Sequence, residues 1–283
     1  MAGGRPDLAV IPAAGYGTRL RPLTDTIPKE MLTIGRMPVI GHVMDELREA
    51  GIRRAVVVLS PSKDLIRLYV GDGGRWGIEV AYTLQPEMRG VGDAILRATG
   101  QAFEGSVVAA FGDCALFRRP SADRLPALLR LIRAHDACSA HASVLCERVP
   151  RERTRFYGVL APFDASDPND GEPFAVAGIV EKPDPAEAPS EWVVAARWIL
   201  RSEALAYIER QTPGPNGEVG VTEAIARLLA DGGRVVAVPM AASERRCDVG
   251  NWKSLLAAQA LASVWDPEYG EDVRRQVAAS EGD

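Results

Sequence analysis

Apolar residues recur along this chain in two rhythms. Leu8–Ala13 is an unbroken apolar run, the pattern of a strand buried on both faces, and Val39, Ile40, Val43, Met44 and Leu47 then recur at helical spacing before Gly51. Val56–Leu59, Ile78–Leu84 and Val107–Phe111 are further predicted strands, separated by helical stretches over Lys63–Val70 and Gly92–Gln101. Strands alternating with helices predict a parallel sheet covered on both faces, with ligands beyond the carboxyl ends of the strands.

The second half changes character. Ala137–Arg148, Tyr157–Ala161, Phe174–Glu181 and Trp192–Leu200 read as strands with fewer helices between them, joined by polar loops at Asp164–Pro173 and Pro183–Ser190. Helices return at Ser202–Gln211, Val221–Ala230 and Asn251–Ser263, with a strand at Val235–Pro239. The expected organisation is a doubly wound, Rossmann-like α/β core over residues 1–136, a smaller mixed half of the same domain over 137–264, and a charged, weakly patterned tail over 265–283. No internal repeat or low-complexity block stands out.

Length and composition narrow the function classes. A chain of 283 residues holds one large α/β domain, or one domain with a small appendage. A hydrophobic content of 47%, 25% charge and a net charge of −5 lack the basic excess of a nucleic-acid binder, although local cations still allow a nucleotide ligand. Cys114, Cys138, Cys146 and Cys247 show neither a C-x-x-C pair nor a framework spacing, so neither zinc nor a disulfide scaffold is predicted. The N-terminus lacks an apolar signal core and no run approaches the roughly 18 apolar residues that span a bilayer, so a cytoplasmic protein with no membrane partner is expected.

The densest chemistry lies just after the first strand. Gly15 and Gly17 let backbone N–H groups approach phosphate oxygens, Thr18 and Arg19 add a hydroxyl and a guanidinium, and Lys29 follows as a second cation. A P-loop is excluded because no Gly-Lys pair occurs in the chain. The dinucleotide fingerprint fails at Leu20, where its third glycine belongs, and the second strand ends in Leu-Ser-Pro rather than an acidic residue. A dehydrogenase is therefore only a distant reading.

Other predicted strand ends point to the same crevice. Gln85 offers an amide that can read a base edge, with Gly90 and Gly92 allowing a flat base to lie on backbone. Gly112-Asp113 closes the Val107–Phe111 strand and suits Mg²⁺, with Asp248 as second carboxylate. In the mixed half, Tyr157-Gly158 offers close backbone approach, Glu181 can accept from hydroxyls and Lys182 can neutralise a phosphate. His42, His135 and His141 form no metal or acid–base spacing and read as structural or exposed.

Taken in order, these residues resemble the sugar nucleotidyltransferases, the nucleoside-diphosphate-sugar pyrophosphorylases. The resemblance runs through Ala14–Arg19, Pro28-Lys-Glu-Met-Leu32, Gln85, Gly112-Asp113, Tyr157-Gly158, Glu181-Lys182-Pro183, Glu218-Val-Gly-Val-Thr-Glu-Ala224 and Asp248-Val-Gly250, roughly residues 8 to 262. Within the family, Pro-Lys-Glu-Met-Leu and Ala14 look most like the bacterial UTP–glucose-1-phosphate uridylyltransferases, while the length is closer to the thymidylyltransferases.

The resemblance implies a nucleotide-diphospho-sugar transferase fold, a Mg²⁺ requirement, homodimers or homotetramers, and two substrates, a nucleoside triphosphate (UTP or dTTP) and a sugar-1-phosphate. It assigns Arg19, Lys29 and Asp113 to catalysis, with Asp113 and Asp248 as metal ligands. Ala13, Ala14, Gly15, Gly17, Thr18, Gln85, Gly90 and Gly112 then bind nucleotide, and Tyr157, Gly158, Glu181, Lys182 and Arg197 bind sugar phosphate. The chain departs from the family pattern at Cys114, at Ala195-Ala196-Arg197, where a glycine is frequent, and at Thr33-Ile-Gly-Arg-Met37. These departures leave the sugar open between glucose, a specialised hexose and a cyclitol. A non-catalytic sensing relative is the rival from another class.

Overall fold

Consecutive residues of the first strand face two different cores. Ala9 and Ile11 pack into one buried cluster while Leu8 and Val10 pack into another, as the twofold alternation of a strand covered on both sides requires. The computed structural model of the chain describes residues 5–100, 102–119, 125–164, 168, 171–214 and 217–280. Gln101, part of the polar loop 164–173 and residues 281–283 of the expected tail lie outside the described residues.

In chain order the strands are β1 (Leu8–Pro12), β2 (Thr33–Ile34), β3 (Met37–Pro38), β4 (Arg54–Leu59), β5 (Glu79–Leu84), β6 (Ser106–Ala110), β7 (Cys114–Arg118), β8 (Ala142–Arg148), β9 (Gly158–Pro162), β10 (Phe174–Glu181), β11 (Trp192–Arg201), β12 (Val235–Pro239) and β13 (Glu244–Asp248). The α-helices are α1 (Val39–Glu49), α2 (Asp64–Val70), α3 (Gly90–Thr99), α4 (Ala127–Cys138), α5 (Ser202–Glu209), α6 (Val221–Ala230), α7 (Trp252–Trp265) and α8 (Gly270–Ser280).

Nine strands form one sheet in the order β5-β4-β1-β6-β11-β8-β12-β10-β9. The β5, β4, β1 and β6 strands are parallel, β11 runs antiparallel to both β6 and β8, and β12 is parallel to β8. Residues of α1, α2 and α4, such as Met44, Leu47, Ile66 and Leu131, fill the first core. Ile95 of α3, Ile208 of α5 and Leu228 of α6 fill the second. The architecture is the expected mixed, doubly wound α/β fold.

This topology creates the crevice. The chain leaves β1 for β4 on one side and returns to β6 on the other, so the loops after β1 and β6 diverge from adjacent strand ends. Such a switch point is where open α/β sheets bind ligands. A smaller core of Leu20, Leu32, Ala115, Val249 and Leu255 fastens the loop after β1 to a two-stranded ribbon and to α7.

Two features differ from the sequence expectation. The ribbon pairs β7 with β13 across a large separation in sequence, which local periodicity does not show, and it sets Asp248 opposite Cys114. The expected tail contains α8, whose first turn carries Glu271 and Asp272 at the end of the helix dipole that favours acids. Arg274 of α8 donates to the carbonyl of Val264 in α7. Among the described residues, no helix is long and apolar enough to cross a membrane.

Candidate functional site

The loop after β1 is tied down through its carbonyls. Ala13 donates its N–H to Val58 O at 2.9 Å, so the chain is held to the sheet before it turns. Lys63 donates to Gly15 O at 2.6 Å, and Thr24 donates its hydroxyl to Gly17 O at 2.8 Å. Gly17 has φ +67°, a left-handed conformation in which a side chain is strained, and a Cβ there would press on Thr24 Cγ2 at 3.1 Å. The N–H groups of Ala14 to Arg19 find no hydrogen-bond partner among the described residues. A run of free amides flanked by the exposed Arg19 has the chemistry to hold an anion.

Lys29 and Asp113 meet beneath this loop. Lys29 donates its ammonium to Asp113 Oδ2, and its Nζ would stand 3.4 Å from a Cβ on Gly15. Burial works against the charge on Lys29, but Asp113 and Glu30 outweigh it and raise its pKa. Burial likewise works against the Asp113 carboxylate, yet Lys29 holds its pKa below the usual range. Gly112, beside it, donates its N–H to Pro12 O at 3.1 Å and so joins the two strand ends.

The ribbon supplies the second carboxylate. Val249 donates its N–H to Asp113 O at 3.0 Å, bringing Asp248 beside Asp113. Burial and the Asp113 charge together push the Asp248 carboxyl above its ordinary value. Asp248 Oδ1 accepts the Gly250 N–H at 2.6 Å, and a Cβ on Gly250 would stand 3.2 Å from Arg19 Nη2. Two half-buried, mutually repelling carboxylates are a donor set that fits Mg²⁺, which takes one or two such ligands and completes its shell with phosphate and water.

Behind the loop lies a buried ion pair that sequence reading missed. Lys63 and Glu30 are 4% and 1% exposed, and Lys63 Nζ reaches both carboxylate oxygens at 2.9 and 2.7 Å. Burial lowers the Lys63 pKa and raises that of Glu30. The available signal was a lysine just past the end of β4, in the same layer of strand ends as the glycine loop.

Gln85 directly follows β5 and is 3% exposed. Its amide nitrogen donates to Gly90 O at 2.9 Å and to Asp93 Oδ2 at 2.8 Å, which leaves its carbonyl oxygen as the free acceptor. Gly90 has φ +90°, and a Cβ on it would lie 2.6 Å from Val219 O. The Gln85 segment thus packs on the stretch leading into α6.

That stretch reaches the second group of candidates. A Cβ on Gly158 would lie 3.1 Å from Thr222 Oγ1 and 3.2 Å from Glu181 Oε2, so Gly158, Glu181 and the first turn of α6 share one spot. Lys182 adopts φ +46° and donates its N–H to Tyr157 O at 2.9 Å, while its exposed ammonium lies 3.3 Å from Glu181 Oε1. Arg246, on β13, stacks 4.7 Å over the Tyr157 ring and is held by Glu147 at 2.6 Å, linking this group to the strand of Asp248.

Arg197 does not join either group. Its side chain is 0% exposed, and its guanidinium donates to Glu46, to Ala196 O and to Cys114 O. The donors expected for a sugar phosphate are spent on α1 and on the residue after Asp113, so the assignment of Arg197 to that ligand is corrected to a structural tie. Its neighbour Ala196 has φ +58° in the bulge of β11, a left-handed conformation that favours glycine. The histidines take internal roles: His135 is buried between Ser106 and Ser143, with its pKa lowered by burial to about 4.

Comparison with known proteins adds an independent line. The family model described as nucleotidyl transferase matches residues 8–263. UTP–glucose-1-phosphate uridylyltransferase 1 of Streptococcus pyogenes serotype M1 is 31% identical, over 95% of this chain and 92% of that protein. The solved UTP-bound UGPase from Acinetobacter baumannii aligns with TM-score 0.81 and 27% identity, over 96% of this chain and 99% of that one. A UDP-glucose pyrophosphorylase solved with UDP-glucose aligns with TM-score 0.79 and 26% identity, over 90% and 98%.

Proposed function

The chain belongs to the nucleotidyl transferase family, and from that premise we propose that it transfers a uridylyl group from UTP to glucose-1-phosphate, giving UDP-glucose and pyrophosphate. The observation that carries this reading is the meeting, at one switch-point crevice, of the free-amide loop Gly15–Arg19 with Lys29, Asp113 and Asp248.

A phosphate-monoester oxygen of the sugar phosphate attacks the α-phosphorus in line, a new P–O bond forms, and the bond to the β-phosphate breaks with pyrophosphate leaving. No general base is needed, because the nucleophile is already anionic at neutral pH. The protein's task is to align two anions that repel each other and to offset charge that builds in the transition state. Arg19 and the loop amides hold the phosphates that leave, and Lys29 meets the α-phosphate. The Gln85 carbonyl accepts from the base, Glu181 accepts from sugar hydroxyls, and Lys182 pairs with the sugar phosphate. Asp113 and Asp248 would hold Mg²⁺, which supplies further positive charge against the phosphates when bound.

Uracil and thymine differ by one methyl group, which a hydrophobic pocket separates by only about 1–3 kcal/mol. The test is therefore a matrix of nucleoside triphosphates against glucose-1-phosphate, other hexose-1-phosphates and a cyclitol phosphate, read as pyrophosphate released. The highest kcat/KM is expected for UTP with glucose-1-phosphate. A maximum with dTTP or a cyclitol phosphate replaces the named substrate within the same reaction.

A further inference from the structure

The Gly15 peptide is held on its carbonyl by the Lys63 ammonium, and the Lys29 side chain fills the space beside it that a Cβ would need. We propose that Lys63 and Glu30 are positioning residues that aim the loop's backbone N–H groups at the triphosphate, an assignment that rests on the functional reading above.

The argument begins with peptide geometry. In a planar trans peptide the C=O and the following N–H point in opposite directions. With Gly15 O drawn inward to Lys63 at 2.6 Å, the Tyr16 N–H faces the other way, and it has no partner among the described residues. The same holds one peptide later but one, where Thr24 and the Leu20 N–H take Gly17 O and so turn the Thr18 N–H away. The loop's carbonyls are thus anchored inward at two places. Its phosphate-facing amides are left free.

Lys63 is well built for this task. It follows β4 and precedes α2, two rigid elements, and its own N–H donates to Ser60 O at 3.2 Å. An ammonium has three donors, which here reach both Glu30 oxygens and the Gly15 carbonyl. A buried lysine held by a carbonyl alone would lose its charge, so Glu30 keeps the ammonium charged in a site that excludes water. Replacing such a buried pair with apolar residues of similar volume is often neutral for stability. Stability therefore does not account for the pair, whereas an oriented donor on Gly15 O does.

The experiment compares the wild type with Lys63→Met/Glu30→Met and with Glu30→Gln. UTP binding is measured by calorimetry, the KM for glucose-1-phosphate at saturating UTP, and the melting temperature by heating. The double variant is expected to melt within a few degrees of wild type, to bind UTP about 10- to 100-fold more weakly, and to keep its glucose-1-phosphate KM within about twofold. Glu30→Gln leaves Lys63 without the carboxylate that keeps it charged and is expected to bind UTP about 3- to 10-fold more weakly than wild type, with the glucose-1-phosphate KM again within about twofold.

Unchanged UTP binding in a folded double variant overturns the inference, and so does an equal loss toward both substrates. UTP binding as tight as wild type in Glu30→Gln overturns it even if the double variant does not fold. A wild type that binds no nucleoside triphosphate overturns the functional reading and this inference with it.

Discussion

Lys29 donates its ammonium to the carboxylate of Asp113, 84 residues further along the chain, directly under the glycine loop. The pair joins the loop after β1 to the end of β6 and sets a cation beside Asp113 and Asp248, the place that the proposed reaction gives to the α-phosphate. Lys29→Met is expected to lower pyrophosphate release about 10²- to 10³-fold, the loss seen when one transition-state charge donor is removed. Steady-state assays with UTP and glucose-1-phosphate check this, and turnover within threefold of wild type would contradict it.

Asp248 supports a prediction in the opposite sense for stability. Burial and the Asp113 charge raise its pKa in the folded chain. A carboxyl with a raised pKa contributes stability below its ordinary unfolded value, near 4, and loses that contribution as pH rises through the folded value. Asp248→Asn stays neutral and can still accept the Gly250 N–H. Without metal, the variant should therefore melt on the order of 2–4 °C above wild type at pH 8, with the gap closing as pH falls toward the ordinary carboxylate value near 4. Its turnover should fall by more than tenfold. A gap independent of pH would show that the two carboxylates are not in conflict.

Gly250 sits where both Asp248 and Arg19 leave no room. A Cβ there would stand 2.5 Å from Asp248 Oδ1 and 3.2 Å from Arg19 Nη2. Gly250→Ala is expected to displace both groups, cutting kcat about tenfold or more by analogy with lost transition-state donors while the chain still folds. Activity and melting curves on the same preparation separate the two effects.

Arg197 and Lys182 should behave in opposite ways. Removing Arg197 leaves Glu46 without its buried partner, so Arg197→Ala should cost about 3–5 kcal/mol of stability. Lys182 is exposed, so Lys182→Ala should leave the melting temperature unchanged and raise the KM for the sugar phosphate about tenfold, the scale of one charge-assisted hydrogen bond. Chemical denaturation and substrate titration distinguish them. An Arg197→Ala variant of normal stability with a raised sugar-phosphate KM would restore the assignment made from sequence.

The contrast shows which parts of the molecule were legible in the sequence. The alternation of apolar runs and helical stretches predicted the doubly wound sheet, because each strand's burial on two faces is a local pattern. Candidates at strand ends, such as Gly15, Gln85 and Asp113, could be named because topology sends those ends to one edge. The Arg197–Glu46 and Lys63–Glu30 ties could not, since each joins residues far apart in the chain and neither partner has a local signature. Arg197 misled for a physical reason: a guanidinium in an apolar strand reads equally as ligand-binding or as neutralised by an unseen carboxylate. The β7–β13 ribbon was invisible on the same grounds, because two short mixed-polarity stretches show no strong period.

The most direct test of the account is pyrophosphate release by the purified wild-type chain supplied with Mg²⁺, UTP and glucose-1-phosphate, with the nucleotide product identified. Pyrophosphate and UDP-glucose formed in equal amounts, with almost none when Asp113 is replaced by Asn, is the predicted result. Binding of both substrates with no pyrophosphate released would contradict it and identify a sensing relative that keeps the fold without the chemistry.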